Sequence, residues 1–157
     1  MRFSDSQLAA FGILSHGFVE EFRRRFTSGS FSEVFSDRPE IHIPCGSQSV
    51  GNLIVYLDGD EVTVEVGELY HTHFSFWHYG SILDEQSVGG TVNASLEFIR
   101  QVLADEIVFR LFYRDGRVAG ATTLHYPTIA VVGKLSELDG LPFRDFRWSG
   151  PIQSPME

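Results

Sequence analysis

Between Gly51 and Val66 two runs of strand-forming residues flank the short stretch Asp58-Gly59-Asp60. In the second run Val62, Val64 and Val66 alternate with Glu61, Thr63 and Glu65. That period of two puts valines on one face and polar groups on the other, as in a half-buried strand. The first run, Asn52–Leu57, is apolar on both faces and reads as a more central strand. Gly59 is expected to supply the positive φ of a tight turn, which makes the segment an antiparallel hairpin.

The flanking sequence supplies helices and more hairpins. Ser4 or Asp5 can cap a first helix, in which Leu8, Phe11, Phe18, Phe22 and Phe26 recur at helical steps. Its last turn carries Arg23, Arg24 and Arg25, expected in water and matched to the carbonyl end of the helix dipole. Phe31 to Arg38 reads as an irregular connection or a short helical turn, and Glu40–Pro44 as a short strand. Leu69–Phe76 continues in strand character, followed by a loop from Tyr79 to a Gly89-Gly90 stop. A second helix is expected over about Thr91–Asp105, with Leu96, Ile99, Val102 and Leu103 as its buried stripe. Ile107–Tyr113 and Val118–Leu124 form a second hairpin about Asp115-Gly116, and Leu141–Trp148 adds an edge strand. The order predicts an α+β fold: a two-layer domain whose mainly antiparallel sheet has two helices packed on one face. Residues 1–150 form the single domain, and 151–157 a loose C-terminal tail.

Charge is distributed unevenly along this plan. From Pro39 to Ile99 there is no Lys or Arg, while nine carboxylates fall there: Glu40, Asp58, Asp60, Glu61, Glu65, Glu68, Asp84, Glu85 and Glu97. The whole net charge of −9 lies in that stretch, because the remainder balances twelve basic against twelve acidic residues. A field of one sign steers cationic partners in and turns polyanions away, which argues against a nucleic-acid binder. No apolar run approaches the roughly 20 residues that span a bilayer, so no membrane association is expected. The single cysteine, Cys45, cannot form an intrachain disulfide, and a reducing, cytoplasmic setting is expected.

His71 and His73 share one face of the extended segment, with Ser75, while Tyr70, Thr72, Phe74 and Phe76 share the other. Two imidazoles at i and i+2 can ligate one zinc, iron or copper ion, as in cupin-type barrels. His78 or His125 could add a nitrogen, and Glu65 or Glu68 a carboxylate. The resemblance to cupins stops at His-x-His, since the acidic ligand expected later falls on Phe76, Trp77 or His78. The plainer reading is a pair of polar side chains on a solvated sheet face. Cys45 has no neighbouring cation to activate it and reads as a half-buried structural thiol. No Gly-x-Ser-x-Gly elbow, phosphate loop or Cys-x-x-Cys pair is present. An acid–base pair of Glu65 with Glu68 or His71 would depend on geometry that sequence does not give. The chain therefore reads as a non-enzyme with no cofactor.

The strings from Glu61 to Phe74, from Ser95 to Phe109 and the Tyr113–Gly120 turn together resemble small, poorly characterised bacterial proteins. Those proteins share a layout of strand, Gly-x-x-x-His-Thr-His-Phe, helix and hairpin, and some are similar to immunity proteins of toxin systems. The resemblance covers roughly residues 51–124 and carries no catalytic residues across. It implies a small acidic protein that neutralises a cognate basic, nuclease-like toxin by covering it. The expected contact surface is Asp58, Asp60, Glu61, Glu65 and Glu68 of the acidic hairpin, with His71, His73 and Trp77 at or beside it. A metal-dependent enzyme or metal-binding protein using His71 and His73 is the alternative. A homodimer through an uncovered sheet face stays open.

Overall fold

The valine alternation becomes a strand (β4, Glu61–Val66) antiparallel to its predecessor (β3, Leu53–Asp58), with Leu57 opposite Val62 and Leu53 opposite Val66. The structure, a computed structural model, describes residues 2–125 and 140–152. Around this hairpin are β1 (Ser32–Phe35), β2 (Pro39–Ile43) and β5 (Tyr70–Ser75), giving a five-stranded antiparallel sheet in sequential order β1-β2-β3-β4-β5. β3 lies at its centre, as its apolar composition predicts. Val55, Val62, Val64 and Val66 are fully buried on the inner face. Each such side chain contributes about 1.5–3 kcal/mol relative to exposure.

The first helix is broken, where a single one was expected. Ser4 caps α1 (Asp5–Ala10) through a capping box with Gln7, and α2 (Gly12–Arg25) starts after Phe11. Gly12 has φ +84°, a left-handed conformation that interrupts the helix and that L side chains resist. A third helix, α3 (Glu85–Leu103), begins six residues earlier than expected, because Asp84 caps it through a box with Ser87. Gly89 and Gly90 therefore lie inside the helix and do not stop the preceding loop. Gly90 allows a close approach: a Cβ there would sit 2.7 Å from Tyr79.

Helices α2 and α3 pack on each other and on the inner face of the sheet, α2 against β3 and α3 against β4 and β5. After α3 the remaining strands form a separate sheet: β6 (Ile107–Arg114), β7 (Arg117–His125), β8 (Phe143–Arg147) and β9 (Gly150–Pro151), in the order β7-β6-β8-β9. The expected hairpin about Asp115-Gly116 is present, both residues having positive φ (51° and 75°) as a type I′ turn requires. β8 is not an edge, since β6 and β9 flank it. Ile107, Phe109 and Phe146 from this second sheet join Leu14, Phe18, Phe22, Leu96 and Ile99 of the helices in one core. The fold is α+β with antiparallel sheets, as the sequence predicts. Of the expected tail, Pro151 pairs with Phe146 and the Ile152 N–H donates to the Asp145 carbonyl. Residues 153–157 lie outside the described ones.

Three local findings revise the sequence reading. Phe31–Arg38 contains β1, a strand hidden because Glu33 points inward. Arg23 is not a solvated helix end: it forks onto Glu33 at 2.7 and 2.8 Å, and Glu33 also accepts the Phe3 N–H at 2.6 Å. Gly59 does not take positive φ; the left-handed glycines of this region are Gly51, before β3, with φ +84°, and Gly67, between β4 and β5, with φ +50°. A Cβ on Gly67 would lie 1.6 Å from the Val50 carbonyl oxygen. Its N–H donates to the Asn52 carbonyl at 2.8 Å, so this turn is sewn against the start of β3. Cys45 is half-buried as expected, its thiol donating to the Trp148 carbonyl at 3.0 Å. Among the described residues no helix is long and apolar enough to cross a membrane.

Candidate functional site

The helices cover the inner face of the five-stranded sheet, and the outer face is built from the alternate residues. The register aligns them in three rows. Glu40, Tyr56, Thr63 and His73 form one row, His42, Ile54, Glu65 and His71 the next, and Asp58, Glu61 and Ser75 the third. Every one of these side chains is half-buried or exposed, while the intervening Ile41, Val55 and Val64 are fully buried. Pleating thus converts the sequence alternation into a polar surface about a partly apolar centre, Ile54 and Tyr56.

The surface is held by a small network. Glu61 accepts from Ser75 Oγ at 2.7 Å and from Thr63 Oγ1 at 3.2 Å, and its Oε1 lies 2.7 Å from His73 Nδ1. Burial pushes the Glu61 carboxyl up, but hydrogen bonds from Ser75 and His73 outweigh it and hold the group below its ordinary value. On β2, His42 Nε2 lies 2.7 Å from Glu40. Arg38, one position outside the cation-free segment, stands over the Tyr56 ring at 4.4 Å and donates to both Asp58 oxygens at 2.9 and 3.2 Å. Its Nε is buried without a partner. Partial burial first, then repulsion by Glu65 and Glu40, raises the Tyr56 hydroxyl above its ordinary value.

The expected contact residues are only partly brought together. Glu61, Glu65, His71 and His73 share the outer face, with Asp58 at its margin. Asp60 lies in the β3–β4 turn and Glu68 in the β4–β5 turn, both exposed, at opposite ends of β4. Trp77 is 63% exposed, in the 3₁₀ turn Phe76–His78 that follows β5. Phe76 is buried and Tyr70 and Phe74 pack on the core, so Trp77, and after it the partly exposed Tyr79, are left facing solvent. Glu65, Glu68 and His71 meet at a cleft of about 400 Å³ whose far wall is Ala121 of β7. Arg38, Glu40, His42, Ile54 and Tyr56 were not anticipated as site residues. For Ile54 and Tyr56 the signal was present, since a strand that is apolar on both faces has an outward face to occupy.

Glu65 faces His71 across the ladder without a hydrogen bond between them. The His71 and His73 rings are 5.4 Å apart and edge-on, but His73 Nδ1 is engaged by Glu61. Among the described residues no three His, Cys, Asp or Glu side chains are grouped to hold a metal ion. Comparison with family models, with curated proteins and with solved structures finds no match to this chain.

Proposed function

We propose that the chain is a non-enzymatic protein-binding domain that holds a basic protein against the outer face of its five-stranded sheet. The observation that carries this reading is that face itself: Glu40, Glu61 and Glu65 surround half-buried Ile54 and Tyr56, on the side of the sheet opposite the described helices. An apolar and aromatic centre supplies binding energy while a charged rim supplies fast encounter and discrimination. Arg38 already stands over the Tyr56 ring within the chain, a contact that a guanidinium makes with an aromatic face. Most concretely the domain is an immunity protein of the cytoplasm that sequesters a toxin. A nuclease-like toxin has the matching chemistry, because an enzyme that grips a phosphate backbone must itself be basic.

Glu65→Lys is the cleanest probe, since the Glu65 side chain makes no hydrogen bond among the described residues, whereas Glu61 also ties β5 to β4. The tagged chain and its Glu65→Lys variant are used to capture partners from the native cells at low and high salt. The expected result is a near-stoichiometric basic protein that salt weakens and the variant loses. The same protein captured equally well by the folded variant rules out the sheet face.

A further inference from the structure

On the other side of the molecule, α2 and α3 leave an open groove of about 620 Å³ between them. Ile13 and Gly17 of α2 and Val88, Gly89 and Val92 of α3 form its floor. Ile13 and Gly17 are four residues apart, and Val92 follows Val88 by four and Gly89 by three, so each helix lays one track along the channel. Ile13 is 52% exposed, a large aliphatic side chain left open at one end. Glu20, Glu21 and Glu85 stand around the channel; among the described residues no Lys or Arg lines it, and Arg25 reaches its edge, donating to Glu21 and to Asn93. Glu21 is already bonded to Arg24 and Arg25, and His16 lies 3.6 Å from Glu20; Glu85 makes no such pair.

The glycines distinguish this groove from an incidental gap. Gly17 is explained by packing within the chain, because a Cβ there would come 3.2 Å from Val88 Cγ1. Gly90 is explained by Tyr79. Gly89 has no such reason: a Cβ at this position would meet nothing within 4 Å. Glycine in a helix interior costs stability relative to alanine, and no described residue packs close enough to repay it here. A side-chain-free position facing an open apolar channel fits the close approach of another backbone. The surrounding carboxylates specify the sign of what approaches.

We infer that the α2–α3 groove docks a cationic amphipathic helix of a protein partner, its apolar stripe on Ile13, Gly89 and Val92 and its Lys or Arg side chains toward Glu20 and Glu85. The acidic rim disfavours a second copy of this chain, whose own groove-facing charges are of the same sign. This surface is separate from the sheet face and does not depend on it.

The test uses the full isotope-labelled chain and a synthetic Leu/Lys peptide patterned as an amphipathic helix about five turns long. A Leu/Glu peptide of the same pattern is the charge control. The Leu/Lys peptide is expected to shift the amide resonances of Ile13, Gly17, Val88 and Gly89 saturably, and the Leu/Glu peptide to leave them unmoved. Gly89→Leu, which points into open space and so leaves the fold intact, should weaken binding by about tenfold or more. Gly89→Ala should raise the melting temperature and weaken binding together, a pairing that a purely structural role would not produce. Glu65→Lys should leave groove binding unchanged, which separates this result from failure of the sheet-face reading. Shifts confined to the sheet face, no shifts at all, or undiminished binding by Gly89→Leu would overturn the inference.

Discussion

The residue that ties the chain's beginning to its body is Glu33. Its side chain is 1% exposed, forked by Arg23 and capped by the Phe3 N–H, so β1, α2 and the N-terminal segment meet at one carboxylate. Removing one partner of a buried pair leaves the other uncompensated. Arg23→Ala is therefore expected to cost about 3–5 kcal/mol in urea denaturation. Alanine at Arg24, whose partner Glu21 is also held by Arg25, should leave the urea midpoint nearly unchanged. The same site predicts a pH dependence. Burial pushes the Glu33 carboxyl up, but the bonds from Arg23 and Phe3 prevail and hold it below its ordinary value. A carboxyl depressed in the folded state stabilises above the unfolded value, about 4.3, and loses that contribution as pH falls through the folded one. Urea midpoints should decline from about pH 5 downward, and Glu33→Gln should flatten part of that decline. A decline of equal steepness in the variant would assign it to other carboxyls held below their ordinary value, Glu21 and Glu61 among them.

At the scale of elements, glycine substitutions separate the structural devices from one another. Gly12→Ala meets only an ordinary 3.6 Å contact with the Gly59 carbonyl, so its cost is the left-handed backbone, about 1–2 kcal/mol. Gly89→Ala should stabilise α3 by about 0.5–1 kcal/mol. Gly67→Ala should be the most damaging of the three, because its Cβ would overlap the Val50 carbonyl. Thermal denaturation of the three variants ranks them directly. The same positions show what sequence reveals and what it hides. The β3–β4 and β6–β7 hairpins are legible because alternation and turn residues are local signals. The α1–α2 break is not, since the Leu8–Phe11–Phe18–Phe22 spacing runs across Gly12 without interruption. Gly89-Gly90 resembles a stop until the Asp84–Ser87 cap and the contact with Tyr79 are seen. β1 is concealed by Glu33, whose inward direction makes sense only with Arg23, ten residues away. The division into two sheets depends on packing between distant segments. In the candidate site, His71 and His73 share a face by alternation alone. Placing Arg38, Glu40 and Tyr56 beside them requires the register of strands far apart in the chain.

At the scale of the whole molecule, the net charge of −9 matters only if the carboxylates act together where a partner would land. Tyr56 lies in that field and can report it. Its hydroxyl is raised above the ordinary value by partial burial and then by Glu65 and Glu40, against the opposing pull of Arg38. Glu65→Lys exchanges a repulsive neighbour for an attractive one. The ionisation of Tyr56, followed at the ultraviolet band of tyrosinate against a Tyr56→Phe background, should move to lower pH in the variant. Added salt should narrow the difference, because charges on an open face are screened. The sign for stability follows. A tyrosine raised in the folded state contributes stability below its unfolded value, about 10, and loses it as pH rises through the folded one. Tyr56→Phe should remove that alkaline loss, and Glu65→Lys should reduce it. If Glu65→Lys left the Tyr56 titration where it is, the carboxylates would not be acting at the centre of the face. Electrostatic steering of a basic partner to this sheet would then lose its physical basis, leaving the α2–α3 groove as the surface to pursue.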